Sequence, residues 1–149
     1  SGNASDIREF LEGGTAKDLM APFLIQLLAW DEVAKQTIWE LRRLAPRITG
    51  QLVDALLDDE QDFSIRRRIP RALAAGDGQR AAEGLLRGME DPRFEVRYQC
   101  GHALERLIQR NPEISLPRDR ILKIVKREVD VDRKVWESHR LLDQFEEPD

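Results

Sequence analysis

The segment VRYQCGHALERL, Val96–Leu107, decides the fold because versions of it occur three more times along the chain. The others are VAKQTIWELRRL from Val33, IRRRIPRALAAG from Ile65 and VWESHRLLDQFE from Val135, so successive copies start 32, 31 and 39 positions apart. An apolar segment precedes each copy: PFLIQLLAW, GQLVDALLD, QRAAEGLLRG and RDRILKIVKRE, in chain order. Self-similarity at a period of about 20–50 residues is typical of a solenoid, in which each unit buries its apolar face on the next.

The apolar residues within each copy recur at the period of an α-helix. In the third copy Val96, Cys100, Leu104 and Leu107 fall on one helical face, so we expect all four to be buried. The residues expected to face them from partner helices are Leu56, Leu85 and Val125. No run alternates with period two for long enough to indicate a strand. The sequence therefore predicts an all-α chain of helical pairs.

Turn-forming residues separate these periodic segments. Gly76-Asp77-Gly78 and the stretch 111–117 are predicted to end two of the units. The residues predicted to cap helix N-termini are Asp62, Asp91 and Asp132, with Thr15–Asp18 resembling a capping box. Pro22 and Pro70 are expected to kink helices. The predicted organisation is a cleavage remnant and capping helix at 1–15, hairpins at 16–46, 47–76, 77–110 and 117–145, and an acidic tail at 146–149.

Bulk composition narrows the class of protein. A chain of 149 residues with a formal net charge of −4 is one domain by length and lacks the overall positive charge of a nucleic-acid coat. The single cysteine, Cys100, excludes an intramolecular disulfide, and the apolar run Phe23–Trp30 is too short to span a bilayer. The opening SGNAS has no methionine and is typical of a protease-cleavage remnant. We expect a cytoplasmic domain, cut from a longer protein.

The segment MEDPRFEVRYQCGHALERL, Met89–Leu107, resembles the second half of a HEAT repeat of the short bacterial, phycobilisome-lyase-like type. In that family a turn aspartate lies five residues before a valine that is followed by arginine. The residues that match fully are Asp91, Val96 and Arg97; those that match in part are Glu60, Ile65 and Arg66 in the second copy and Asp130 and Val135 in the fourth. Trp136 replaces the arginine of the fourth copy, and the first has Leu28, Val33 and Ala34.

This resemblance covers about residues 16–145 and implies a right-handed α-solenoid of about four helical hairpins. It also implies that the residues of the repeat motif are structural, namely Asp91, Val96, Arg97, Arg66 and Asp130. Arg66 and Arg97 would then bond the turn of a neighbouring repeat. Asp91 would accept backbone N–H bonds at the start of its helix.

The resemblance further implies that the second helices line the concave side of the solenoid. Positions +2, +6 and +9 of each copy point away from the core in this arrangement. They are Lys35, Trp39, Arg42, Arg67, Arg71, Ala74, Tyr98, His102, Glu105, Glu137, Leu141 and Gln144. Arginine and aromatic side chains are enriched at binding hot spots, so the predicted partner-binding residues are Lys35, Trp39, Arg42, Arg67, Arg71, Tyr98 and His102. The alternative is a merely solvated face, with Trp39 packed sideways on a neighbouring repeat.

No constellation for catalysis or cofactor binding emerges from the sequence. His102 and His139 are too few for a metal site, a single cysteine forms no Cys-x-x-Cys, and no glycine-rich phosphate loop opens a helix. We therefore predict a non-catalytic protein–protein interaction scaffold with no cofactor. The alternative is a nucleic-acid-binding module similar to HEAT-like DNA glycosylases, which hold duplex DNA with tryptophans, arginines and an aspartate. This chain departs from them in its net acidity and in carrying Arg43 where that aspartate is expected.

Overall fold

The computed structural model describes residues 2–14 and 16–129, and the described residues are helical with no strand among them. A 3-10 turn at Asp18–Met20 joins the first two helices. The helices are α1 (Gly2–Glu12), α2 (Ala21–Leu27), α3 (Ala34–Leu57), α4 (Phe63–Arg66), α5 (Ile69–Leu73), α6 (Gly78–Gly88), α7 (Phe94–Arg110) and α8 (Arg118–Val129). The predicted all-α class is confirmed.

Several predictions fall outside the described residues. They concern Thr15, Asp130, Asp132, Val135, Glu137, His139, Leu141, Gln144, the second helix of the 117–145 hairpin and the tail at 146–149. The side chain of Val125 is likewise outside them, although its backbone belongs to α8.

The core lies between helices that pack in chain order. Helix α3 contacts α2, α5 and α6, and α7 contacts α5 and α6. The predicted core face of α7 is confirmed, since Val96 and Cys100 are fully buried and Leu104 and Leu107 are at most 7% exposed. Leu56 and Leu85, which were expected to face it, are also fully buried. The four-residue apolar period therefore identified the packed face of α7 correctly.

The range Ala34–Leu57, labelled α3, consists of two helical parts joined at a kink. It carries Pro46 in its interior, and the backbone leaves helical geometry at Ile48, with φ −119° and ψ 18°. Proline has no N–H to donate to the carbonyl four residues earlier, and its ring crowds that carbonyl, which kinks a helix. This departure from helical geometry lies one residue after the boundary predicted between residues 46 and 47. Pro22 and Pro70 instead occupy the first turns of α2 and α5, where proline is tolerated.

The predicted turns lie where the helices end. Helix α5 stops at Leu73 and α6 begins at Gly78, while 111–117 joins α7 to α8. Asp62 is the N-cap of α4, and its carboxylate accepts the Ser64 N–H at 2.7 Å. The capping prediction is therefore confirmed for Asp62.

Two glycines of α6 allow this helix to pack closely against α3 and α7, because each faces a larger side chain of a neighbouring helix. A Cβ atom at Gly84 would lie 2.5 Å from a methyl carbon of Val53, and one at Gly88 would lie 2.5 Å from Cys100 Sγ. Real Cβ atoms do not approach other atoms so closely. The two glycines therefore set the spacing of α6 from its neighbours.

Thr49 joins the kink of α3 to the start of α6. Its buried hydroxyl donates to the Ala45 carbonyl at 2.7 Å and accepts the Asp77 N–H at 3.0 Å.

We expect Thr49→Val to lower the free energy of unfolding by about 1–3 kcal/mol, because the Asp77 N–H loses its partner. The control is Thr37→Val: the Thr37 hydroxyl donates only to the Val33 carbonyl, which the Thr37 N–H also reaches. Urea unfolding of both variants checks this, and equal losses would contradict it.

No helix of residues 2–14 and 16–129 combines the length and apolar character that a membrane crossing requires.

Candidate binding surface

Trp39 is the exposed aromatic residue of the predicted strip. It lies on α3 with 42% of its surface exposed, although Ile38 next to it is buried. Arg42, one turn later, places its guanidinium carbon 5.9 Å from the centre of the indole ring. Because a guanidinium over an indole face is attracted by the ring quadrupole, this pair holds the indole on the surface.

Arg42 also connects two copies of the repeated segment. Its Nη1 donates a 2.7 Å hydrogen bond to the Arg71 carbonyl on α5. Lys35 is exposed one turn before Trp39, and Arg67 lies in the turn between α4 and α5. These contacts thus connect Trp39 and Arg42 with the backbone of Arg71. We use the name Trp39 face for these residues together with their two predicted neighbours: Lys35, Trp39, Arg42, Arg67 and Arg71.

The arginines of the run RRRIPR, residues 66–71, make different contacts. Arg66 is buried, whereas Arg68 donates to the Leu28 carbonyl at 2.6 Å and to Asp31 at 2.7 Å. The hydrogen bond from Arg68, and then its positive charge, lower the pKa of Asp31 below its usual value. Arg67 lies with its guanidinium carbon 5.9 Å from the centre of the Phe63 ring. Only part of this dense positive run thus contributes to the Trp39 face.

The prediction that Tyr98 lies on the exposed strip is wrong, because Tyr98 is 1% exposed and belongs to the interior. Its ring is stacked between Phe94 and His102, with ring centroids 6.1 and 6.3 Å away. These three residues repeat at i, i+4 and i+8, so their rings adjoin along one side of α7. His102 is half-buried beside Tyr98. Ala74, another position of the strip, is also buried.

The motif residues Arg66 and Asp91 form a buried ion pair. Arg66 Nη2 donates to Asp91 Oδ2, with 7% and 6% of the two side chains exposed. Arg66 Nε also donates to the Leu56 carbonyl at 2.9 Å, and Asp91 Oδ1 accepts the Arg93 N–H at 2.9 Å. Arg66 therefore reaches the turn of the following copy, as the resemblance implied. The prediction that Asp91 caps α7 is wrong, because the N-cap residue is Arg93 and the N–H that Asp91 accepts lies just before the helix.

Arg97 bonds the turn that leads into its own helix. Its Nη1 donates to the carbonyls of Asp91 and Pro92, at 3.1 and 2.9 Å. A bond from Arg97 to the turn of the following copy stays a prediction, because Asp130 lies outside the described residues. Val96, the remaining described residue of the motif, is fully buried. Arg97 ends the first turn of α7, and its long side chain folds back over the turn that leads into the helix.

Cys100 is not placed for nucleophilic chemistry. Burial raises the pKa of its thiol far above the usual value, the negative charge of Asp91 raises it further, and Arg66 opposes them. The thiolate is the reactive form of cysteine, so a thiol held protonated is inert. The described residues contain no group of three or more histidine, cysteine or acidic side chains arranged to hold a metal ion.

A polar cavity between α3 and α6 was missed by the sequence reasoning. Its lining includes Arg80, Glu83 and Arg87 from α6 and Asp54 from α3. The available signal was the spacing of the α6 residues at i, i+3 and i+7, which places them on one helical face. Taken alone, that pattern is also typical of an ordinary solvated helix.

Comparison with known proteins gives no relative. No family model matches the chain, and neither a curated protein nor a solved structure matches it.

Proposed function

We propose that this chain is a HEAT-like α-solenoid module that acts as a non-catalytic scaffold for protein–protein interaction. The repeated segment supports the architecture, together with the packing of helices in chain order. Contacts between copies support it as well: Arg42 reaches the second copy from the first, and Arg66 reaches the third from the second. In a solenoid each unit bonds mainly to its neighbours, and these side chains do so.

The observation that carries the functional proposal is the exposed indole of Trp39 within a basic surface. A tryptophan exposes apolar area that water solvates poorly, and it is among the residues most enriched at hot spots. The Trp39 side chain is 42% exposed, and the guanidinium carbon of Arg42 lies 5.9 Å from the centre of its ring. A binding partner would bury it.

The chemistry of the Trp39 face indicates the kind of partner. Its charged members are one lysine and three arginines, so the face is basic although the chain has a net charge of −4. Arginine forms paired hydrogen bonds with carboxylates, and the indole packs on an apolar or aromatic side chain. We propose that the face binds an acidic protein segment with at least one apolar anchor. The module would serve as an accessory domain of a larger cytoplasmic protein.

A photo-crosslinking residue in place of Lys35 would capture the partner in cells, and titration of the purified pair would measure affinity. We expect Trp39→Ala to weaken the complex by at least about thirtyfold, as for a hot-spot tryptophan. Arg71→Glu should abolish binding because it places a like charge against the acidic segment.

The matched control for this experiment is Trp30→Ala. Trp30 is 46% exposed but lies in the turn after α2, outside the Trp39 face. Its replacement should leave affinity unchanged, and circular dichroism should show both tryptophan variants folded. Equal affinities of Trp39→Ala and the unchanged protein would refute the proposed face.

Nucleic-acid binding predicts a different result. Each phosphate neutralised by a cation releases counterions, so affinity for an oligonucleotide falls steeply with salt. Titrating duplex and single-stranded oligonucleotides at two salt concentrations tests this. Tight binding with a steep salt slope, lost in Arg71→Glu, would replace the scaffold proposal by the nucleic-acid alternative.

A further inference from the structure

A second candidate site lies away from the Trp39 face, in the cavity between the C-terminal half of α3 and α6. The cavity has a volume of about 370 Å³ and is closed at one edge by Pro117 and Arg120, at the start of α8. Small-molecule sites in proteins occupy about 300–1,000 Å³, so this cavity is at the lower end of their range. Four charged residues of its lining are exposed to solvent: Asp54, Arg80, Glu83 and Arg87.

Two glycines allow side chains of the lining to approach the helix backbones closely. Gly50 on α3 and Gly84 on α6 both line the cavity, and Val53 packs against Gly84. A Cβ atom at Gly50 would lie 2.8 Å from Arg80 Nη2, so the guanidinium of Arg80 rests against the backbone of α3. The absence of a side chain at Gly50 therefore fixes where the charge of Arg80 lies.

The arginines of this cavity differ in their internal partners. No hydrogen bond or ion pair joins Arg80 or Arg87 to another residue of the described part of the structure. The guanidinium of Arg120, in contrast, is 2.8 Å from the Glu90 carboxylate. Arg43, Arg47, Arg66 and Arg68 likewise have carboxylate partners. Two guanidinium groups thus converge on one cavity with their donors available to a ligand.

Two acidic residues complete the lining. Asp54 lies one turn after Gly50 on α3, and Glu83 lies one turn after Arg80 on α6, where it accepts a hydrogen bond from Gln79 at 2.8 Å. Neither carboxylate is within ion-pair distance of Arg80 or Arg87. Carboxylates repel a bare anion but accept hydrogen bonds from hydroxyl groups. The cavity therefore has one set of groups for an anion and another for hydrogen-bond donors.

We propose that this cavity binds a small phosphorylated molecule that also carries hydroxyl groups. The planar guanidinium groups of Arg80 and Arg87 match the geometry of phosphate oxygens, and Arg120 adds positive charge at the rim. The hydroxyl groups of the same ligand donate to Asp54 and Glu83. A carboxylate-only ligand would leave these two acceptors unused.

The proposal is independent of the partner-binding function. The member of the Trp39 face nearest to Gly50 on α3 is Arg42, eight residues earlier. At 1.5 Å per residue this corresponds to about 12 Å along the helix. The residues that line the cavity include no member of the Trp39 face.

Calorimetric titration at low ionic strength tests the site with ribose 5-phosphate, inorganic phosphate and ribose. We expect ribose 5-phosphate to bind at least about tenfold more tightly than inorganic phosphate, and ribose not to bind, because both sets of groups are needed. Arg80→Gln and Arg87→Gln should each weaken binding by about tenfold or more. A phosphoserine peptide should bind more weakly than ribose 5-phosphate, which separates a free metabolite from a phosphorylated protein.

Gly50→Ala and Lys35→Gln serve as the diagnostic and control variants. The Gly50 variant should weaken ribose 5-phosphate binding without loss of stability, because the new Cβ displaces only the flexible end of Arg80. Lys35→Gln removes a positive charge elsewhere and should leave binding unchanged. The proposal is wrong if ribose 5-phosphate does not bind, if it binds no tighter than phosphate or the phosphopeptide, or if the arginine and Lys35 variants lose affinity equally.

Discussion

Replacing Asp91 by alanine is expected to lower the free energy of unfolding by about 3–5 kcal/mol, which is the cost of leaving one member of a buried ion pair alone. Arg66 would retain its bond to the Leu56 carbonyl, but its charge would lie in the interior without a counterion. The Arg93 N–H would lose its acceptor as well. Because domains of this kind are stable by about 5–15 kcal/mol, the variant would lose a large part of its stability.

Chemical denaturation followed by circular dichroism measures this loss, and a surface pair provides the control. Asp18 and Arg47 form an ion pair at 2.8 Å with about half of each side chain exposed. Asp18→Ala should therefore cost no more than about 1 kcal/mol. The double variant Arg66→Met/Asp91→Leu should recover part of the loss, because it removes both charges together. Similar losses in Asp91→Ala and Asp18→Ala would show that burial does not govern the Arg66–Asp91 pair.

Gly88→Ala is the second substitution with a large expected effect. The new methyl group would lie 2.5 Å from Cys100 Sγ and 3.3 Å from Leu56 Cδ2, with both of these residues fully buried. Overpacking of a core costs about 1–3 kcal/mol. This exceeds the gain of about 1 kcal/mol that alanine brings to a helix interior in place of glycine. We expect a net loss of stability, measured as a lower urea midpoint.

The same glycine-to-alanine change at Gly50 is the matched control. There the new Cβ meets only the end of the Arg80 side chain, so stability should be unchanged or should rise by up to about 1 kcal/mol. Cys100→Ala introduced into the Gly88→Ala variant should restore part of the loss by removing the sulfur. Equal behaviour of the two glycine variants, or no restoration, would contradict the contact with Cys100.

The sequence predicted those features that depend on local periodicity. Val96, Cys100, Leu104 and Leu107 are buried because a 3.6-residue period can place its apolar positions on only one side of a helix. The N-cap role of Asp62 was also predictable, since a cap involves only residues next to it in the chain.

Features that depend on helix rotation and on contacts between distant segments were not predictable in this way. Tyr98 was placed on the surface strip because position +2 was assumed to point outward in every copy. That assumption holds for Lys35 but not for Tyr98, whose ring is stacked with Phe94 and His102 and buried. The polar cavity requires Gly50 and Arg80 to meet across two helices, and no local pattern encodes that meeting.

The two helical parts of α3 also bear on how the length of this chain can change. One residue inserted within either part would rotate the rest of that part by about 100° and advance it by about 1.5 Å. Such a shift would turn the buried face of α3 away from α5 and α6. The loop at 111–117 can accommodate extra residues because it is not helical. An insertion there does not rotate α8 about the axis of α7. The long interval of 39 residues between the last two starting positions includes this loop, whereas the interval across α3 is 32. Insertions and deletions are therefore expected only at the non-helical junctions between helices.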